Sequence, residues 1–146
     1  MGDRLTPNQA LARGLAVALL GAIAAIHIMW IPHKLSEAPY MGVLFIALAV
    51  ACAAGAAFLS LAGPRLTPAA WSLAAFLAAA PLASYVSSRL VAWPQQREVV
   101  GSWGSPLGTP SVLAEGALLV LAVAALSGAL REPSVRQASH SERRAA

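Results

Sequence analysis

From Ala38 to Pro64, and again from Leu66 to Ser88, the chain carries no charged side chain. Uncharged runs of this length constrain the fold more than any other feature. About 20 apolar residues, rising 1.5 Å each in a helix, cross a hydrocarbon core about 30 Å thick. Two further apolar runs flank these, from about Leu11 to Ile31 and from about Pro110 to Leu130. Lipid offers no partners to open backbone groups, so each run has to be helical. The pattern predicts an all-α polytopic membrane protein, a bundle of four transmembrane helices at about 11–31, 40–62, 68–90 and 110–130. These form one domain over residues 1–131, followed by a polar, disordered cytoplasmic tail over 132–146.

Composition agrees. The chain is 58% hydrophobic and 11% charged, whereas soluble domains carry roughly 25% charged residues. The surface has to be covered by lipid rather than by charge, and the bilayer is the first expected partner. The formal net charge of +4 comes mostly from arginines near the two ends. No basic stripe interleaves with aromatics, so nucleic acid is not an expected partner. A lone Cys52 in an apolar run allows no intramolecular disulfide and fits a small packing residue.

Helix boundaries are punctuated in a repeated way. Thr6-Pro7, Thr67-Pro68 and Thr109-Pro110 each place a potential cap before a proline that tolerates the first helical turn. Ser36-Glu37-Ala38-Pro39 opens the second helix similarly, while Gly63-Pro64 and Glu132-Pro133 mark exits. Arg4 and Arg13 resemble the start of a signal peptide, but the apolar run continues past Ala25 to Ile31, longer than a cleaved leader needs. An uncleaved first helix is expected. With both termini inside, Arg4, Arg13, Arg65, Arg131, Arg136, Arg143 and Arg144 are cytoplasmic, seven of the ten basic residues. Lys34, Arg89 and Arg97 are then external, and the bias favours this N-in/C-in orientation. The long connection from Val91 to Gly108, with Trp93 and Trp103, then lies outside along the interface. Trp30, Trp93 and Trp103 fit an aromatic belt.

The remaining polar residues share one depth. His27 lies about 7 Å below the expected outer end of the first helix, and Glu115 about 7 Å below the start of the fourth. Tyr85 and Arg89 occupy the last turns of the third helix, and Tyr40 opens the second. Ionisable groups at membrane depth face a bundle interior or a cavity. His27, Tyr85, Arg89 and Glu115 are therefore the expected pocket residues, with Arg89 the nearest cation for Glu115. Pro81, one turn below Tyr85, should bend the third helix and widen the bundle there. Ser84, Ser87 and Ser88 are placed to satisfy freed backbone groups. Small residues such as those of Ala49–Ala57 leave no room for a large cofactor in the inner half.

Tyr85-x-x-Ser88-Arg89, then Trp103-x-x-Pro106-Leu107-Gly108, then Ser111 and Glu115, resembles a pattern of small four-helix integral membrane proteins of GC-rich bacteria. Ala92-Trp93-Pro94 departs from it where Gly-Leu-Pro is expected. The resemblance covers roughly the second half of the chain and implies the fold and a bacterial cytoplasmic membrane location, but no particular activity.

Two functional classes follow. The first is a binding or accessory protein with an outward pocket, a subunit or assembly partner of a larger membrane complex. A metal version of it would use His27, His33, Glu37 and Glu115 as nitrogen and oxygen ligands. No cofactor is required by the sequence. The second is a small proton-coupled or cation transporter working as a homo-oligomer through Glu115. No nucleophile–base pair, phosphate loop or HExxH motif points to an enzyme. A polar path reaching both faces would favour transport, and one reaching a single face would favour binding.

Overall fold

A computed structural model of the chain describes residues 6–104 and 106–130. Arg4, Arg131 and the tail over 132–146 lie outside the described residues. The described chain forms four α-helices: α1 (Pro7–Glu37), α2 (Pro39–Leu61), α3 (Thr67–Leu90) and α4 (Gly108–Leu126). A single 3₁₀ turn, Arg97–Val99, interrupts the α3–α4 connection. All four helices are long and apolar enough to cross a membrane. At 19 residues, α4 is the shortest, and at 1.5 Å per residue it still spans about 29 Å.

Local chemistry sets most of the boundaries. The Thr6 hydroxyl accepts from the Gln9 amide at 3.3 Å, and the Gln9 side chain accepts from the Thr6 amide at 3.1 Å. This reciprocal cap satisfies two otherwise unpaired donors, with Pro7 at a position that needs none. The other two Thr-Pro pairs behave differently. Thr67 and Thr109 lie inside the first turns of α3 and α4, and Leu66 and Leu107 stand at the N-caps without side-chain cap bonds. Past the end of α4, Gly128 adopts φ +81°, the left-handed conformation in which glycine is unstrained.

Two sequence expectations are corrected. The first helix does not stop at Ile31; α1 runs through Pro32 to Glu37. His33, Lys34 and Glu37 are therefore helical residues, not loop residues. Proline removes one amide donor and crowds the carbonyl of Ile28, but beside lipid an open chain would leave more groups unpaired. The connection to α2 is then Ala38 alone, at φ −146° and ψ 85°, outside the helical region that a following proline disfavours. The fourth helix ends at Leu126, about a turn short of the expected Leu130.

α1 packs mainly on α2 and α3 mainly on α4, while α1–α4 and α2–α3 contacts close the ring. Small side chains let the backbones approach. A Cβ added at Gly55 would lie 2.7 Å from Leu77 Cδ1, so α2 and α3 meet there only because the glycine has none. One at Gly42 would strike Leu35, which fixes the tight α1–α2 hairpin. Ala16, Leu20, Ile23, Cys52, Leu59, Ala74, Ala78, Leu118 and Ala122 fill the interior. Large apolar residues on every helix point outward, among them Leu11, Val50, Phe76 and Val120. Such an exterior suits lipid and is uncommon on a water-soluble monomer.

Candidate functional site

The buried polar residues among those described are His27, Lys34, Gln96, Ser111 and Glu115. All five belong to the end of the bundle where α1 and α3 finish and α4 begins. There the helices part around a cavity of about 510 Å³, within the roughly 300–1,000 Å³ range of small-molecule sites. Its wall includes each of the four pocket residues expected from depth: His27, Tyr85, Arg89 and Glu115.

Glu115 lies seven residues into α4 and is 1% exposed. Ser111, one turn earlier, donates its hydroxyl to Glu115 Oε1 at 2.7 Å. The second carboxyl oxygen, Oε2, is buried with no hydrogen-bond partner among the described residues. His27 faces the same carboxyl across the bundle, its Nε2 4.0 Å from Oε1, beyond hydrogen-bond distance. Its Nδ1 lies 2.8 Å from the Ile23 carbonyl. A carbonyl only accepts, so Nδ1 carries the proton and Nε2 faces Glu115. The ring packs edge-on against Phe45 at 4.8 Å, which fixes its plane.

Arg89 does not pair with Glu115 among the described residues, contrary to the depth argument. Its guanidinium lies 4.5 Å from the Tyr85 ring centroid, and Nη1 donates to the Val99 carbonyl at 3.2 Å. Nε is buried without a partner among the described residues. Both residues line the same cavity, and the Arg89 side chain is directed to Tyr85 and to the connecting loop instead.

The long α3–α4 connection is strapped across this end. Tyr40 donates to the Pro94 carbonyl at 2.7 Å, and Tyr85 to the Trp103 carbonyl at 2.9 Å. Lys34 donates to Gln96 at 3.3 Å and to Glu37 at 2.8 Å. The Gly101 amide donates to the Arg89 carbonyl at 2.9 Å. Gln96, Trp93 and Val99 thereby become part of the cavity wall. None of the three was expected as a pocket residue, because nothing in a loop sequence states where it docks. Ser111 and Lys34 were more accessible to inference: one lies a helical turn from Glu115, and the other is the only lysine.

The four residues considered for metal binding do not converge. His33 and Glu37 form their own pair at 3.1 Å on the exposed last turns of α1, while His27 and Glu115 face the cavity. No cluster of three or more His, Cys, Asp or Glu occurs among the described residues. The extension of α1 to Glu37 causes the split: six residues separate His27 from His33, which turns them to different sides of one helix.

Pro81 and Ala80 also line the cavity, and α3 stays helical through the proline. Ser87 and Ser88 bond the carbonyls three residues before them, Ser84 and Tyr85, rather than the Leu77 carbonyl that Pro81 leaves without its helical donor. Comparison with protein-family models, with curated proteins and with solved structures finds no match to this chain.

Proposed function

We propose that this chain is a small binding protein of the bacterial cytoplasmic membrane, with both termini inside and its ligand cavity in the outer half of the bundle. It acts as a ligand-holding subunit or assembly partner of a larger membrane complex. The observation that carries this reading is the one-sidedness of the buried polar groups. At the end bearing Arg13, the buried residues are Ala12, Ala16, Leu59, Ala62, Ala70, Trp71 and Ala122. A transporter needs polar stations toward both faces, and a cavity with stations toward one face suits capture and release on that face. The low count of buried charges and the absence of a three-ligand cluster among the described residues favour an organic ligand over a metal.

A ligand that binds the folded protein alone raises its stability, by about 2.7 kcal/mol at 100 times its Kd. The test is thermal unfolding of the detergent-purified chain against lipids, polar metabolites and divalent metals, alongside mass spectrometry of co-purifying molecules. Ser84→Trp, which fills the cavity, should abolish the shift given by any true ligand. A shift that persists in that variant would place binding elsewhere. Orientation is tested by labelling with a membrane-impermeant thiol reagent, for which the buried Cys52 gives little background. Ser102→Cys should react from outside intact cells and Arg65→Cys only after lysis.

A further inference from the structure

Two residues of the cavity wall, Glu115 and Arg89, each hold an occluded polar atom without a partner among the described residues, and the two atoms are of opposite character. Glu115 Oε2 is a buried acceptor without a donor, and Arg89 Nε is a buried donor without an acceptor, among the described residues. The rest of each group is already held, the carboxyl by Ser111 and the guanidinium by Val99 and Tyr85. A molecule that satisfies both offers a hydrogen-bond donor to the carboxyl and an acceptor to the guanidinium, and the charge-assisted forms of these are an ammonium and an anionic oxygen. An ammonium and a phosphate on one short group meet both needs with charge-assisted bonds.

The apolar part of the wall indicates where such a molecule comes from. Leu44, Phe45 and Leu48 of α2 and Ala80 and Pro81 of α3 line the cavity, and Leu44 is 52% exposed. α2 and α3 close tightly at Gly55 and Leu77, but nearer the Arg89 end the cavity lies between them. The cavity wall thus holds apolar side chains of α2 and α3 as well as the buried carboxyl.

We propose that the cavity takes a phosphoethanolamine-type group, as the headgroup of a phospholipid entering from the bilayer between α2 and α3. The ammonium meets Glu115, the phosphate meets Arg89, and the acyl chains stay in the membrane beside Leu44 and Leu48. This rests on the binding reading above and adds the ligand's chemistry and route. A primary ammonium brings three donors, whereas a quaternary one brings none and leaves Oε2 unpartnered. A headgroup with phosphate but no ammonium leaves the carboxyl unpartnered in the same way.

The test is native mass spectrometry of the full chain from micelles holding equal amounts of phosphatidylethanolamine, phosphatidylcholine and phosphatidylglycerol with identical acyl chains. One ethanolamine lipid should be retained per chain, with a preference of about tenfold over the other two, the effect of one charge-assisted hydrogen bond. Glu115→Gln should erase the preference, and Arg89→Gln should weaken retention of all three. Soluble phosphoethanolamine at equal concentration should not displace the lipid. Equal retention of the three lipids, lost in Ser84→Trp, would overturn the headgroup assignment and leave the binding reading standing. Displacement by the soluble compound would overturn the bilayer route. Retention of no lipid and stabilisation by no probe would overturn both readings. The wild-type preference decides the headgroup by itself should a variant fail to fold.

Discussion

The two ends of this bundle are built from the same four helices and solve opposite problems. At the Arg13 end the interior is alanine, leucine and one tryptophan, closely packed. Its basic side chain is partnered: Arg13 donates to the Ala62 carbonyl at 3.1 Å and to the Thr67 hydroxyl at 3.2 Å, clamping the α2–α3 turn. At the Arg89 end the helices part, five polar residues are buried, and two polar atoms have no partner among the described residues. Burying an unpaired polar atom costs roughly 1–3 kcal/mol by mutational measures. The closed end is therefore built for stability, and the open end carries a cost that a stability argument alone does not explain. Sites that violate local rules in this way are where function is expected.

The largest effect should come from breaking the closed end. Gly55→Val puts a branched side chain where even one methyl group would collide with Leu77. Overpacking of this kind costs about 1–3 kcal/mol, occasionally more. Ala80→Val, in the cavity wall, adds two carbons where Gly55→Val adds three, and should cost less than about 0.5 kcal/mol. Thermal unfolding of the two variants side by side measures the contrast. Equal losses would mean that the two ends are packed alike.

Next comes the clamp. Arg13→Gln removes charged bonds to Ala62 and Thr67, and the loss should be about 1.5–3 kcal/mol, with the α2–α3 turn becoming the first site of proteolysis. A result near zero would reduce Arg13 to a topology signal.

That difference shows what the sequence can and cannot carry. Helix number and type, and the bounds of α2 and α3, were legible, because hydropathy over a span is a sum that no neighbour can reverse. The sequence placed His27, Tyr85, Arg89 and Glu115 toward one end of the bundle, and the structure lines one cavity with all four, although α1 continues ten residues past His27 to Glu37. Side-chain direction was not legible. Whether Arg89 turns to Glu115 or to Tyr85 and Val99 depends on a loop whose docking involves Tyr40, Lys34 and Gln96, residues far apart in the chain. The continuation of α1 through Pro32 was hidden for a related reason. Proline's local preference is against it, and the surroundings decide the matter.

The third prediction turns on that separation. An ion pair between Glu115 and Arg89 would make their losses non-additive. The observed geometry predicts Glu115→Gln and Arg89→Gln effects that add within about 0.5 kcal/mol. Glu115→Gln keeps an oxygen for the Ser111 bond and places an amide N–H at the unpartnered oxygen, so it should cost about 1–3 kcal/mol in detergent without added lipid, and Arg89→Gln should not recover that loss. Unfolding of both single variants and the double variant checks this. A loss in Glu115→Gln that the double variant recovers would restore the pair.

The smallest effect concerns the strap. Tyr40→Phe removes one neutral bond, from its hydroxyl to the Pro94 carbonyl, worth about 0.5–1.5 kcal/mol. That energy holds the connecting loop on the cavity rather than the helices on one another, so the unfolding temperature should barely move. The population of undocked loop should instead rise about fivefold, the ratio that corresponds to about 1 kcal/mol. Trypsin reads that population when docking is fast compared with cleavage. Arg97 lies in the strapped segment and Arg65 in the α2–α3 turn, both exposed. Cleavage after Arg97 should therefore accelerate in Tyr40→Phe while cleavage after Arg65 stays at the wild-type rate. Equal acceleration at both arginines would mean that the hydroxyl stabilises the whole bundle. No change at either would mean that Tyr85, Lys34 and Arg89 hold the loop without it.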